Sequence, residues 1–236
     1  MINLLKTIYF NFKMLPLKQA VHLPILFYGR TKFRSLQGCV SINAEGHFGM
    51  IRIGINNQYV DTSVPETIWT VNGTIKFSGP MKMARGSYIH VAKNANLSIG
   101  TGGSFYGSNL KVMCFDSITI GNCVRLTWDC QIYDTSFHYI EVMDGEKGIS
   151  SLTSPVVIGN RVWVGNRSTI SKGTRIPDDT IIASNSLANK DYTDYGSYIL
   201  LAGVPAKFKK RGIRRIWNFQ KQAELDIKFK YNRHKL

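Results

Sequence analysis

From Ile158 onward an aliphatic side chain returns at every sixth position: Ile158, Val164, Ile170, Ile176, Ile182, then Ala188. Four residues after each of the first five stands a small or β-branched one: Val162, Ser168, Thr174, Thr180 and Ser186. An amphipathic helix would repeat at three, four and seven, and a simple strand at two. A spacing of six fits short flat strands joined by tight turns, and IGNR, VGNR, SKG and PDD supply turn residues. The same register runs earlier through Cys114, Ile120, Leu126 and Ile132, accompanied by Ile118, Val124, Cys130 and Ser136. It is fainter at Val71, Phe77, Met83 and Ile89. Units of this size cannot bury an apolar face alone and must stack, so the pattern predicts an all-β solenoid.

The register breaks once. Ile132 and Ile158 lie 26 residues apart, which is not a multiple of six, and the intervening FHYIEVMDGEKGISSLTSP is polar and glycine-bearing. An extruded loop over about 137–157 is expected there. The body of the solenoid is assigned to 37–205, with helical extensions at 1–36 and 206–236. The first extension, MINLLKTIYFNFKMLPLKQAVHLPILFYG, is apolar but interrupted by Lys6, Lys13, Lys18 and two prolines, so no uninterrupted stretch is long enough to span a bilayer. It has no basic–apolar–small cleavage pattern, and a cytoplasmic setting is expected. Its helix reads either as a cap on the body or as an interfacial element with lysines at lipid phosphates.

Charge sharpens this picture. The 236 residues carry a net +15, but residues 1–36 hold six bases and no acid, and 207–236 hold eleven bases against Glu224 and Asp226. The middle, 37–206, therefore holds 13 of each sign and is neutral. A nucleic-acid domain concentrates its bases on the folded body, so nucleic acid is not expected as a partner. Basic ends on a neutral body suit an anionic ligand or surface instead, including the inner membrane face. In KFKKRGIRRIWNFQKQAELDIKFKYNRHKL the bases recur beside Ile213, Ile216, Trp217 and Phe219, as in a helix lying on anionic lipid; plain solubility is the alternative. Cys39, Cys114, Cys123 and Cys130 have no metal-type spacing and read as reduced thiols.

The blocks IGNRVWVGNRSTISKGTRIPDDTIIASNSLANKD and AGVPAK resemble the hexapeptide-repeat acyltransferases, and most closely the galactoside and maltose acetyltransferases together with capsular and O-antigen acetyltransferases. The resemblance is strong over 110–210, faint over 37–109 and absent at both ends. It implies a left-handed parallel β-helix, acetyl-CoA as acyl donor, no metal, and a homotrimer with active sites between neighbouring coils. It also implies acetylation of a sugar hydroxyl in surface polysaccharide. A sugar amine as acceptor, or a non-catalytic β-helix that binds glycans, remains open at this point.

Within that resemblance each candidate residue has a bland alternative. His138, at the loop root in YDTSFHY, is the expected general base, since an imidazole accepts a proton near neutral pH. Asp134 is the expected partner that orients it, although an aspartate in a turn commonly bonds backbone N–H instead, and Glu141 could serve in its place. The resemblance puts Trp163 and Asn166 near the thioester, Ser184 and Asn189 along the pantetheine arm, and Lys190, Lys207 and Lys210 at the phosphates. Trp128 and Tyr133 are candidates for stacking on the acceptor sugar, or equally for packing. The five histidines, His22, His47, His90, His138 and His234, include no close pair, which speaks against a three-imidazole metal site.

Overall fold

The computed structural model describes residues 1–56, 66–102, 104–144 and 148–230, without the side chains of Ser104 and Phe105. His234 lies outside them. Successive strands pass in turn to three sheets: 25–27, 31–36 and 39–42 contribute one strand to each, then 51–55, 67–71 and 74–77 do the same. The winding continues to 181–182 and 187–188, so among the described residues the sheets reach nine, seven and six strands, and within them every pairing but the last is parallel. We call them the first, second and third sheets in that order.

The six-residue rhythm is the signature of the last turns. Paired residues there are 18 apart, three hexads: Ile158 with Ile176, Val164 with Ile182, and Ile170 with Ala188. All six are at most 2% exposed, and Ser168, Thr174 and Thr180 between them are fully buried. Earlier turns are longer, with Val91 paired to Cys114 and Phe77 to Ile99, and register shifts interrupt Phe33/Ser35 and Ile53/Ile55. Four-residue strands send two side chains inward, so the six-spacing blurs there although Val71, Phe77, Met83 and Ile89 are all buried.

Corners are turned by single residues in the left-handed region. Asn109, Asp129, Arg167 and Asn185 make the corner between the first and second sheets, and Cys123, Arg161 and Asp179 that between the third and first, all at φ of 53–59°. Such a conformation costs a residue with a Cβ about 1–2 kcal/mol. Neighbouring turns offset it: Arg161 donates from its backbone to Asn122 O at 2.8 Å, and its guanidinium grips Asp179 at 2.7 Å.

The strands begin earlier than a boundary at 37 allows. Only α1 (Leu4–Met14) and α2 (Leu17–Ala20) are helical in the N-terminal part, while residues 25–36 already belong to the first turn. Strand 25–27 is the terminal strand of the first sheet, with one edge unpaired by any other strand among the described residues. Asn11 of α1 covers that edge by donating to Ile25 O at 2.7 Å and accepting from Ile25 N–H at 3.2 Å, while Thr7 accepts from Phe27 N–H at 3.1 Å. Phe10 and Met14 seal the apolar end of the coil beneath it. An open edge is a template for unwanted pairing, and this helix removes it. At the other end, strand 207–211 turns back antiparallel on 199–202 and closes the stack, so the C-terminal helix starts later than 206, as α3 (Phe219–Lys228).

Candidate functional site

The loop root is built where strand 131–133 leaves the second sheet. Residues 140–142 and 148–150 pair as an antiparallel hairpin outside the coil. Ser154 N–H donates to Asp134 O at 2.9 Å and Ser136 N–H to Leu152 O at 2.9 Å, closing the loop at its base. Lys172, one turn further on, reaches both ends of it, donating to Ser136 Oγ at 3.2 Å and Ser151 O at 2.5 Å. Ser136 Oγ in turn donates to His138 O at 3.0 Å. Phe137 adopts φ 61°, a strained setting for a bulky residue, and immediately precedes His138. The imidazole of His138 is exposed, and among the described residues it has no hydrogen-bond or ion-pair partner.

Asp134 is not that partner. Its side chain is fully buried, and its two oxygens accept from Phe115 N–H and Asp116 N–H, each at 2.8 Å. The carboxylate clamps the preceding turn of the coil instead of orienting the histidine, which is the ordinary role of an aspartate at a turn. Glu141 is exposed on the hairpin.

Outside the second sheet an aromatic row approaches the loop root. His90 stacks on Phe115 with centroids 5.1 Å apart and lies 6.4 Å from Tyr88. Phe115 meets Phe137 edge-on at 5.8 Å, and Phe137 meets Tyr133 at 5.9 Å. Burial, and then the Arg34 guanidinium, hold the His90 imidazole below its ordinary pKa. Tyr133 thus belongs to a packed ring cluster beside His138.

A second group gathers at the corner between the first and second sheets. Trp128, Asn166 and Ser184 occupy equivalent corner positions in successive turns: Arg167 N–H donates to Trp128 O, Asn185 N–H to Asn166 O, and Ser184 Oγ to Asn166 Oδ1 at 2.6 Å. Trp128, a candidate for stacking on the acceptor sugar, therefore stands in the same row as two donor-site candidates. The row tolerates no added bulk behind it, since a Cβ on Gly165 would lie 2.4 Å from Ser184 N and one on Gly107 2.5 Å from Thr127 C. Trp163 faces outward from the first sheet between Arg125 and Ile181, and is 37% exposed. At the end of the stack Asn189 is exposed, its N–H pointing to Tyr192 Oη at 3.4 Å, and Lys190 Nζ lies over the rings of Tyr192 and Tyr195 at 5.5 and 5.6 Å. Lys207 and Lys210 are exposed on the closing strand.

Between the two groups lies the outer face of the second sheet, with an open cleft of about 480 Å³ lined by Gly86, Asn109, Lys111, Asp129, Gln131 and Arg167. The corner at Asp129 and the loop root at Thr135 flank strand 131–133, and the six residue steps between them can span at most roughly 20 Å at about 3.3 Å each. One chain thus keeps its exposed imidazole and its corner row on opposite edges of one sheet. Lys172, Phe115 and His90 carry no local sequence signal of a role; only the stacking of turns brings them to the loop root, where Ser136 already lies. Among the described residues no group of three or more His, Cys, Asp or Glu is placed to hold a metal ion.

No protein-family model matches the chain. Among curated proteins it is similar to the galactoside O-acetyltransferase of Escherichia coli (strain K12), 27% identical over 150 residues that cover 62% of this chain and 66% of the relative. It is also 28% identical over 127 residues to the putative lipopolysaccharide biosynthesis O-acetyl transferase WbbJ of the same organism, covering 48% of this chain and 63% of that one. The chain thus spans just under two thirds of either relative. Its fold is similar to the polysialic acid O-acetyltransferase OatWY, with TM-score 0.54 and 19% identity over 84% of this chain and 99% of that chain. The polySia-specific acetyltransferase NeuO superposes with TM-score 0.50 and 18% identity over 87% and 96%. In sequence the chain is thus similar to O-acetyltransferases of galactosides and of lipopolysaccharide biosynthesis, and in fold to polysialic acid O-acetyltransferases.

Proposed function

We infer that the protein is an acetyl-CoA-dependent O-acetyltransferase that modifies a sugar hydroxyl of a surface polysaccharide or its precursor. The observation that carries this reading is His138: an exposed imidazole without a hydrogen-bond partner among the described residues, held at a loop root that Lys172 and Ser136 pin. Acetyl-CoA supplies the activated acyl group. Asn166 and Ser184 offer polar contacts of the kind a pantetheine amide needs, in a row kept narrow by Gly107 and Gly165, and Lys190, Lys207 and Lys210 offer charge to phosphates at the end of the stack. His138 accepts the proton of the acceptor hydroxyl as its oxygen attacks the thioester carbonyl, and returns that proton to the departing thiolate. The polar lining of the cleft, with Lys111, Gln131 and Arg167, suits a hydroxylated acceptor better than an apolar one.

The coil in this reading is a left-handed parallel β-helix, and the active protein is a homotrimer working in the cytoplasm. The separation of His138 from the corner row supports the assembly, because a neighbouring copy can bring its corner against this loop. So does the hairpin, which leaves Tyr139, Ile140, Met143 and Ile149 more than half exposed. Among the described residues no helix is long and apolar enough to cross a membrane.

The test is turnover. Incubation with acetyl-CoA and a panel of capsule and O-antigen fragments should give a product carrying one acetyl group, removable by mild base as an ester is and an amide is not. His138→Ala should lower the rate at least about a hundredfold while acetyl-CoA still binds. A base-stable product, or near-full turnover by His138→Ala, would overturn the O-transfer reading or the role of the histidine respectively.

A further inference from the structure

We propose that the capped end of the coil docks the protein on an anionic lipid surface through the outer face of α1. The buried face of this helix is fully accounted for: Thr7, Phe10, Asn11 and Met14 hold it to the first turn. The opposite face is apolar and faces solvent. Leu5 is 82% exposed, Leu4 59%, Tyr9 55%, Phe12 50% and Ile8 40%, and Leu17 of α2 extends the patch at 68%. A capping helix needs only its inner face to be apolar; an outer face of this kind on a solvated tip calls for an occupant.

Charge selects which one. Lys6 and Lys13 flank the face on α1, Lys18 stands beside Leu17, and Arg30, Lys32 and Arg34 lie on the first turn below. The first acid in the chain is Glu45. A second copy meeting this face about a two-fold axis would bring lysines against lysines with no carboxylate in residues 1–44 to pair them. A bilayer with anionic headgroups pairs those lysines and takes up the leucine, isoleucine and phenylalanine side chains. The helix is already fixed to the coil, so no ordering cost opposes docking. α3 at the other end also exposes Phe219 and Ile227, but none of its residues is buried and it carries Glu224 and Asp226 among its bases. The two ends close opposite ends of the stack, so the chain presents one such tip to a flat surface.

The experiment is co-sedimentation of the 236-residue protein with vesicles of phosphatidylcholine alone or mixed with phosphatidylglycerol. The wild type should pellet with the mixed vesicles and be released as salt rises. Leu5→Glu with Phe12→Glu should reduce that partition at least about tenfold, since two apolar side chains that enter the bilayer become charged. Phe219→Glu with Ile227→Glu should bind as the wild type does. In parallel, Leu5→Trp should shift its emission to the blue on mixed vesicles, a readout that does not depend on the folding of the charged variant. Wild-type binding by the Leu5/Phe12 variant, equal partition on neutral vesicles, or an unshifted Leu5→Trp emission would overturn the proposal. A smaller sedimentation coefficient for the Leu5/Phe12 variant than for the wild type would also overturn it, by showing that another copy covers this face.

Discussion

Asp134→Asn separates two roles that one residue cannot hold at once. In the structure both carboxylate oxygens accept backbone N–H groups, Phe115 and Asp116 at 2.8 Å each, inside a side chain that is fully buried. A hydrogen bond to a charged acceptor contributes about 1.5–3 kcal/mol. Asparagine keeps one acceptor, turns that bond into a neutral one, and sets an NH₂ against the other N–H. Relief of burying a charge offsets part of the loss. The net cost is about 2 kcal/mol, or roughly 4–8 °C in melting temperature for a chain of this size. His138→Ala, whose ring has no partner among the described residues, should leave the melting temperature within about 1–2 °C of the wild type. Thermal melts and saturating acetyl-transfer rates on the same preparations read both quantities. The structure predicts a stability loss for Asp134→Asn with only a small change in rate. An unshifted melting temperature together with a rate as low as that of His138→Ala would refute this, and would make Asp134 the group that orients the histidine.

Asn11→Leu should lower stability by about 2–4 kcal/mol, because it strands the N–H and C=O of Ile25 at the coil's end; urea midpoints measure it. Lys172→Met should cost roughly tenfold in kcat/KM with little change in melting temperature, since it loosens a loop that positions the base, and a large stability loss with intact kinetics would contradict it. His90 is held below its ordinary pKa by burial and by Arg34, so the stability it contributes is present above about pH 6.5 and is lost as pH falls, when the unfolded imidazole takes up a proton more readily than the folded one. His90→Phe keeps the ring stack and should flatten the dependence of melting temperature on pH between 7 and 5 relative to the wild type.

The repeat was legible because a coil is nearly one-dimensional. Each side of a turn sends its side chain inward at a fixed interval, so Ile158 through Ala188 could be read as buried without knowing what they touch, and the interruption after Ile132 could be read as a loop. The first turns were harder, since their strands run to five and six residues and register shifts at Phe33/Ser35 and Ile53/Ile55 stretch the interval. The N-terminal helix was visible as apolar. That Asn11 would cover the edge of strand 25–27, leaving a second apolar face outward, depended on how helix and coil meet. At the site, the position of His138 followed from the break in register, but the role of Asp134 did not. An aspartate serves a histidine four residues on as readily as an N–H 18 or 19 residues back, and only the stacking of one turn on the next decided between them. The same stacking set Trp128 in line with Asn166 and Ser184, and tied Lys172 to Ser136 across 36 residues. Sequence spacing determines which side of a coil a residue faces; which residues lie above and below it is settled by the length of every intervening turn, and that is a property of the folded chain.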